Sequence, residues 1–86
     1  MYRLVIKKSA RKELDSLPKQ VFLETDKAIL SLKENPAPHP QSIRLKGKDK
    51  RRLRAGDYRV VYTVDEGQKV VTIYKVRHRK DVYRQG

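Results

Sequence analysis

Eighty-six residues leave room for one small domain, spanning 1–86, and its 37% apolar residues supply a single thin core. Lys and Arg number 22 against 10 Asp and Glu, a net charge of +12 with a pI near 10.2, which points to nucleic acid, an anionic surface or an acidic protein as partner. Cysteine is absent, which excludes disulfide frameworks and thiolate metal sites, and no apolar run approaches a membrane span, so a cytoplasmic address without a membrane role is expected.

Met1-Tyr2-Arg3 is expected to lead into a strand rather than to open an export leader. Tyr2, Leu4 and Ile6 alternate with Arg3, Val5 and Lys7, the pattern of a half-buried strand. Ser9 has the chemistry of an N-cap, and Ala10, Leu14 and Leu17 then share one face of a short helix. Pro18 suits the first turn of a second helix, with Phe22, Ile29 and Leu32 on one stripe and Val21, Ala28 and Leu30 beside it. Asn35-Pro36 ends that helix, because the residue before proline is pushed away from helical angles. A helical hairpin of this kind must bury its stripe, and a sheet formed by the rest of the chain is the available surface.

Prolines at 36, 38 and 40 make a stiff connector in which His39 reads as a solvent-facing loop residue. Ile43-Arg44-Leu45 forms a short strand before a turn at Gly47. The segment from Lys50 to Val64 then reads as two antiparallel strands. With Ala55-Gly56 as the loop, Arg54 pairs with Asp57, Leu53 with Tyr58 and Arg52 with Arg59. Directly opposed residues share a face, so Lys50, Arg52, Arg54 and Arg59 project from one side and Leu53, Tyr58, Val60 and Tyr62 from the other. Tyr58 and Tyr62, like Tyr2, read as core or interface rings with wet hydroxyls.

A turn at 65–68 leads to a last strand over 69–76. With Glu66-Gly67 as its loop, Arg59 pairs with Tyr74. The tail from Arg77 to Arg84 is basic again, and one short helical turn there places Arg79 and Tyr83 on the same side. The fold class expected is α+β: an N-terminal strand, a two-helix hairpin, then a three- to four-stranded antiparallel sheet with a basic open face. Like charges opposed across a ladder repel, so four cations on one face are either a solvated surface or a phosphate-binding one. The positions on facing strands favour the second.

The run Leu53-Arg54-Ala55-Gly56-Asp57-Tyr58-Arg59-Val60-Val61-Tyr62, followed by Val76-Arg77-His78-Arg79-Lys80-Asp81-Val82-Tyr83, resembles the RelE/ParE superfamily of toxin–antitoxin toxins. The order of elements is similar along essentially the whole chain. The match looks closer to the RelE branch, whose members are ribosome-dependent mRNA endonucleases, than to the ParE branch, which poisons DNA gyrase without a catalytic set. The resemblance implies catalytic roles for Lys50, Arg52, Arg59, Arg79 and Tyr83, with Arg77 competing for the role of Arg79. Arg52 stands where the pattern has lysine, and a planar guanidinium is not equivalent to a compact ammonium.

On that resemblance the expected chemistry is attack of a 2′-hydroxyl on the adjacent phosphorus, without metal or other cofactor. Arg59 and Arg79 clamp the phosphate, and Lys50 and Arg52 stabilise the transition state. Tyr83 stacks on a base or serves as general base, while Arg54, Lys48, Arg77 and His78 hold RNA. His78 alone has an ordinary pKa suited to a base at neutral pH. The lack of another strong base implies dependence on the ribosome for substrate alignment. The partners implied are a cognate acidic antitoxin, the ribosome and mRNA, with the free toxin a monomer.

Overall fold

The structure, a computed structural model, describes residues 1–46 and 49–84, with side chains as far as Asp81. The chain runs β1 (Arg3–Ile6), α1 (Lys8–Asp15), α2 (Lys19–Ser31), β2 (Ser42–Arg44), β3 (Lys50–Ala55), β4 (Tyr58–Asp65), β5 (Val70–His78) and α3 (Arg79–Arg84). The strands form one five-stranded sheet in the order β1-β5-β4-β3-β2. Strands β2 to β5 are antiparallel, as expected, and β1 adds itself parallel to β5 at the edge.

The alternation in β1 works as its sequence dictates. Leu4 and Ile6 pack on the core, while Val5 is 40% exposed. Ser9 does not cap α1. Lys7 takes the cap position in an extended conformation and without a side-chain cap, and Ser9 lies within the first turn. The reason is economy of backbone: the Lys7 amide still donates to the Ile73 carbonyl at 2.9 Å, while the Lys7 carbonyl already accepts from Arg11 at 2.9 Å. Pro18 likewise stands one residue earlier than expected, at the cap of α2, and its carbonyl receives the Phe22 amide at 2.8 Å.

The helices bury Ala10, Leu14, Ile29 and Leu32 against Leu53, Val60, Tyr62, Val71, Ile73 and Val76 from the sheet. Each fully buried aliphatic side chain there contributes on the order of 1.5–3 kcal/mol relative to exposure. Phe22 and Ala28 pack at the margin, Leu30 turns outward at 47% exposure, and Thr25 occupies a buried place on the stripe. The strand expected at residues 43–45 lies one residue earlier, because Ser42 is buried opposite Leu53.

Two register expectations are overturned. In the β3–β4 hairpin the loop is Gly56-Asp57, so Ala55 pairs with Tyr58, Arg54 with Arg59 and Arg52 with Val61. Gly56 has φ +60, which suits the first loop position of a type II′ turn as well as it would suit the second of a type I′ turn. The slip is two residues, so it preserves every face. Between β4 and β5 the loop covers residues 66–69, with Lys69 at φ 58, and a bulge falls between Val61 and Tyr62. Arg59 therefore pairs with Arg77, not with Tyr74. The last strand also continues to His78 rather than ending at Val76.

Candidate nucleic-acid interface

Helices cover one face of the sheet, and the other stays open. On the open face Arg54 stands directly opposite Arg59, and Ile43, Arg52 and Val61 form the adjoining cross-strand row. Lys50 projects from the same side, paired with Thr63. Four cations thus come from two adjacent strands of a paired ladder, whose backbone holds them in place.

A cleft of about 170 Å³ lies among Pro40, Gln41, Ile43, Arg52, Arg54 and Arg59. The Arg54 amide donates to the Gln41 carbonyl at 2.8 Å, which anchors the connector as one wall. Beneath that wall lies a polar network that sequence patterning does not announce. The Ser42 hydroxyl shares a 2.5 Å hydrogen bond with the buried Tyr62 hydroxyl, which also donates to the Pro36 carbonyl at 2.7 Å. Arg51 Nε donates to the Ser42 hydroxyl at 2.8 Å. Arg51 therefore serves the core side while its neighbours Lys50 and Arg52 face outward, as strand alternation requires.

Arg59 folds back over the hairpin. Its Nη1 donates to the Gly56 carbonyl at 2.9 Å and to the Tyr58 carbonyl at 3.0 Å. The Arg79 amide donates to the Asp57 carbonyl at 2.8 Å, and Arg79 Nε lies 4.0 Å from an Asp57 carboxylate oxygen. The start of α3 is thereby fixed to the same turn that carries Arg59. Arg59 and Arg79 meet at the Gly56-Asp57 turn, with Arg54 opposite Arg59, while Lys50 stands at the far end of β3.

Arg77 and His78 are placed differently. Arg77 Nε donates to Glu13 at 2.8 Å, drawing the guanidinium toward α1. His78 pairs with Tyr58 and so stands on the helix side, where the two rings meet edge-on with centroids 5.4 Å apart. Its Nδ1 accepts the Lys80 amide at 3.2 Å. The structure thus separates His78 from the open-face arginines. Lys48, the side chain of Tyr83 and the turn expected at Gly47 lie outside the described residues. Among the described residues, no three of His, Asp or Glu gather as a metal-ligand set, and no helix is long and apolar enough to cross a membrane.

This sheet, hairpin and pair of helices have known counterparts. A family model for the ParE toxin of type II toxin–antitoxin systems, parDE, matches residues 4–83. The chain belongs to this family. Within the wider RelE/ParE superfamily its similarities lie with the RelE-like branch. A Methanocaldococcus jannaschii protein carrying the name toxin RelE1 is 33% identical over 86 residues, covering 96% of both chains. The RelE–RelB complex from Pyrococcus horikoshii OT3 contains a chain 37% identical, with a TM-score of 0.82 over 91% of this chain and 94% of that one. The intact E. coli RelBE toxin–antitoxin complex contains one 28% identical, with a TM-score of 0.76 over 91% and 96%. The protein is accordingly a RelE-like toxin of a toxin–antitoxin module.

Proposed function

We propose that this RelE-like toxin is a ribosome-dependent mRNA endonuclease, and that its own cations carry the reaction. The observation behind the proposal is the gathering of Arg52, Arg54 and Arg59 around a small cleft on one sheet face, with Lys50 further along the same face. In the reaction a 2′-hydroxyl loses its proton and its oxygen attacks the adjacent phosphorus. The bond to the 5′-oxygen then breaks, and that oxygen takes up a proton. Negative charge grows on the phosphoryl oxygens, where preorganised guanidinium and ammonium groups stabilise it more than they stabilise the ground state.

Arg59 and Arg79, joined at the Gly56-Asp57 turn, clamp the phosphate; Arg52 acts on the charge that develops, and Lys50, at the far end of β3, holds the neighbouring nucleotide. Tyr83 supplies base stacking or proton transfer. Arg54 and Lys48 grip flanking backbone. Arg77 would reach RNA only by leaving Glu13, and His78 only from the opposite side, so neither is central to the proposal. Weak proton transfer by the toxin makes ribosomal alignment of the message part of the catalytic device.

A surface this basic also calls for an acidic antitoxin, and the RelB complexes formed by the similar P. horikoshii and E. coli proteins support one. Free toxin is then a monomer acting in the cytoplasm on ribosome-bound mRNA. The test is to incubate the protein with programmed ribosomes and map new RNA ends. Arg59→Ala should cut more slowly by about a hundred- to a thousand-fold, the usual cost of one transition-state donor. Cleavage by that variant at the parent rate refutes the assignment. The ParE description of the family model favours one alternative, inhibition of DNA gyrase without cleavage. Unchanged mRNA together with blocked supercoiling would establish it.

A further inference from the structure

We infer that Tyr74, set between the ammonium groups of Lys50 and Lys7, is a base-stacking platform that carries the RNA-binding face across the sheet to β5 and β1. The inference rests on the RNA-binding reading above and extends it to a second place on the protein. Lys50 Nζ lies 5.0 Å from the centre of the Tyr74 ring, and Lys7 Nζ lies 5.8 Å from it. The bulge explains why the ring is there. Val61 pairs with Lys75 and Tyr62 with Ile73, so Tyr74 is the extra residue of β5. A bulge re-aims a side chain in this way, and this one brings the phenol to Lys50 instead of Arg59.

The surroundings suit a polyanion with flat bases. The cross-strand rows Arg52–Val61–Lys75 and Lys50–Thr63–Thr72 carry no carboxylate. Lys50 is four residues from Arg54 along β3, about 13 Å at ordinary strand rise, so a ligand reaching both must span more than one nucleotide. An exposed cation–π contact is weaker than a base stacked on an aromatic ring. An arriving base can therefore displace an ammonium from the ring, and the freed ammonium can turn to a phosphate. A peptide fits less well. The β5 segment before Tyr74 is paired with β1 on one side and β4 on the other, which removes the open edge an added strand needs. A docking helix needs a row of apolar pockets, and around Tyr74 this face offers only Val5 and Val61 among threonines and lysines.

The test compares fluorescence anisotropy of an uncleavable ten-nucleotide RNA and of a dinucleotide, for parent protein, Tyr74→Ala, Tyr74→Phe, Lys7→Ala and Arg59→Ala. Tyr74→Ala should weaken decamer binding roughly five- to a hundred-fold, and Tyr74→Phe should stay within about twofold of parent. Lys7→Ala, a change at an exposed position, should lower the salt dependence by about one phosphate contact. Neither change should alter dinucleotide binding. If Tyr74→Ala and Lys7→Ala bind the decamer as parent does while Arg59→Ala weakens it, the platform is refuted and the RNA-binding reading stands. If the parent itself fails to bind the decamer, both fall. If Tyr74→Ala weakens binding of the acidic antitoxin but not of the decamer, the face serves a protein and the inference is overturned.

Discussion

The Glu13 carboxylate accepts the Arg77 guanidinium at 2.8 Å and, through its other oxygen, the Val76 amide at 3.1 Å. Strand β1 covers β5 only as far as Ile73, so Glu13 closes the ladder beyond it from the neighbouring helix. Both side chains are a little under one-third exposed, at 29% for Arg77 and 28% for Glu13. Hydrogen bonds to a charged group in such a place are each worth on the order of 1.5–3 kcal/mol before solvent screening. Glu13→Ala should therefore lose about 1–3 kcal/mol of stability in urea unfolding, and Glu13→Gln, which keeps an acceptor for the amide, should lose less. Equal losses in the two variants would show that charge alone matters there.

Arg54 opposite Arg59 is the converse case, a pair that opposes folding. Like charges directly across a ladder destabilise it by a few tenths to about 1 kcal/mol. Arg54→Thr should raise the urea midpoint at low salt, and the gain should shrink as salt screens the pair. The same change should weaken RNA binding and flatten its salt dependence. A variant that is both less stable and unchanged in binding contradicts the view that these charges are kept for a ligand.

The faces of the hairpin could be read from residues because side-chain direction depends only on parity along a strand. A two-residue slip moved every partner of Arg52, Arg54 and Leu53 and left each on its expected side. Register itself was not legible, since one glycine serves either loop position. Nor was the placement of Tyr74, which depends on a bulge that no local signal marks. Arg77 and Glu13 lie 64 residues apart in sequence, so their meeting is a property of the packed helix and sheet. His78 followed from the strand running two residues further than its apolar pattern suggests, which sets its ring against Tyr58.

Tyr62 is the largest fully buried side chain among the described residues, and its hydroxyl joins β4 to Ser42 and to the Pro36 carbonyl. Tyr62→Phe fills the same space but removes the bond to the Ser42 hydroxyl, which keeps Arg51, and the bond to the part-buried Pro36 carbonyl, at about 1–3 kcal/mol for the two. The loss should appear locally as faster amide exchange at Ser42 and along the connector that walls the cleft. Cleavage should then fall further than binding of the message, because a wall out of place misaligns the phosphate. An exchange pattern identical to that of the parent would mean that the connector is held by other contacts.

Alkaline pH should weaken one contact beside β1. The Tyr2 hydroxyl donates to the Glu66 carboxylate, and Lys69 sits 4.0 Å from that carboxylate and 5.0 Å from the centre of the Tyr2 ring. The hydrogen bond to Glu66 raises the phenol above its ordinary 10.0, with desolvation and the Glu66 charge acting in the same direction and Lys69 opposing them. Folding therefore favours the neutral phenol. Its contribution to stability is fully present below the ordinary value and is lost as pH rises through the higher folded-state value. Glu66→Gln should bring the Tyr2 titration back toward the ordinary value, read by phenolate absorbance against a Tyr2→Phe control. In unfolding experiments Tyr2→Phe should be less stable than the parent at pH 8, and the difference should narrow as pH climbs above 10. A difference that stays constant across that range would mean that the Tyr2–Glu66 bond does not hold in solution.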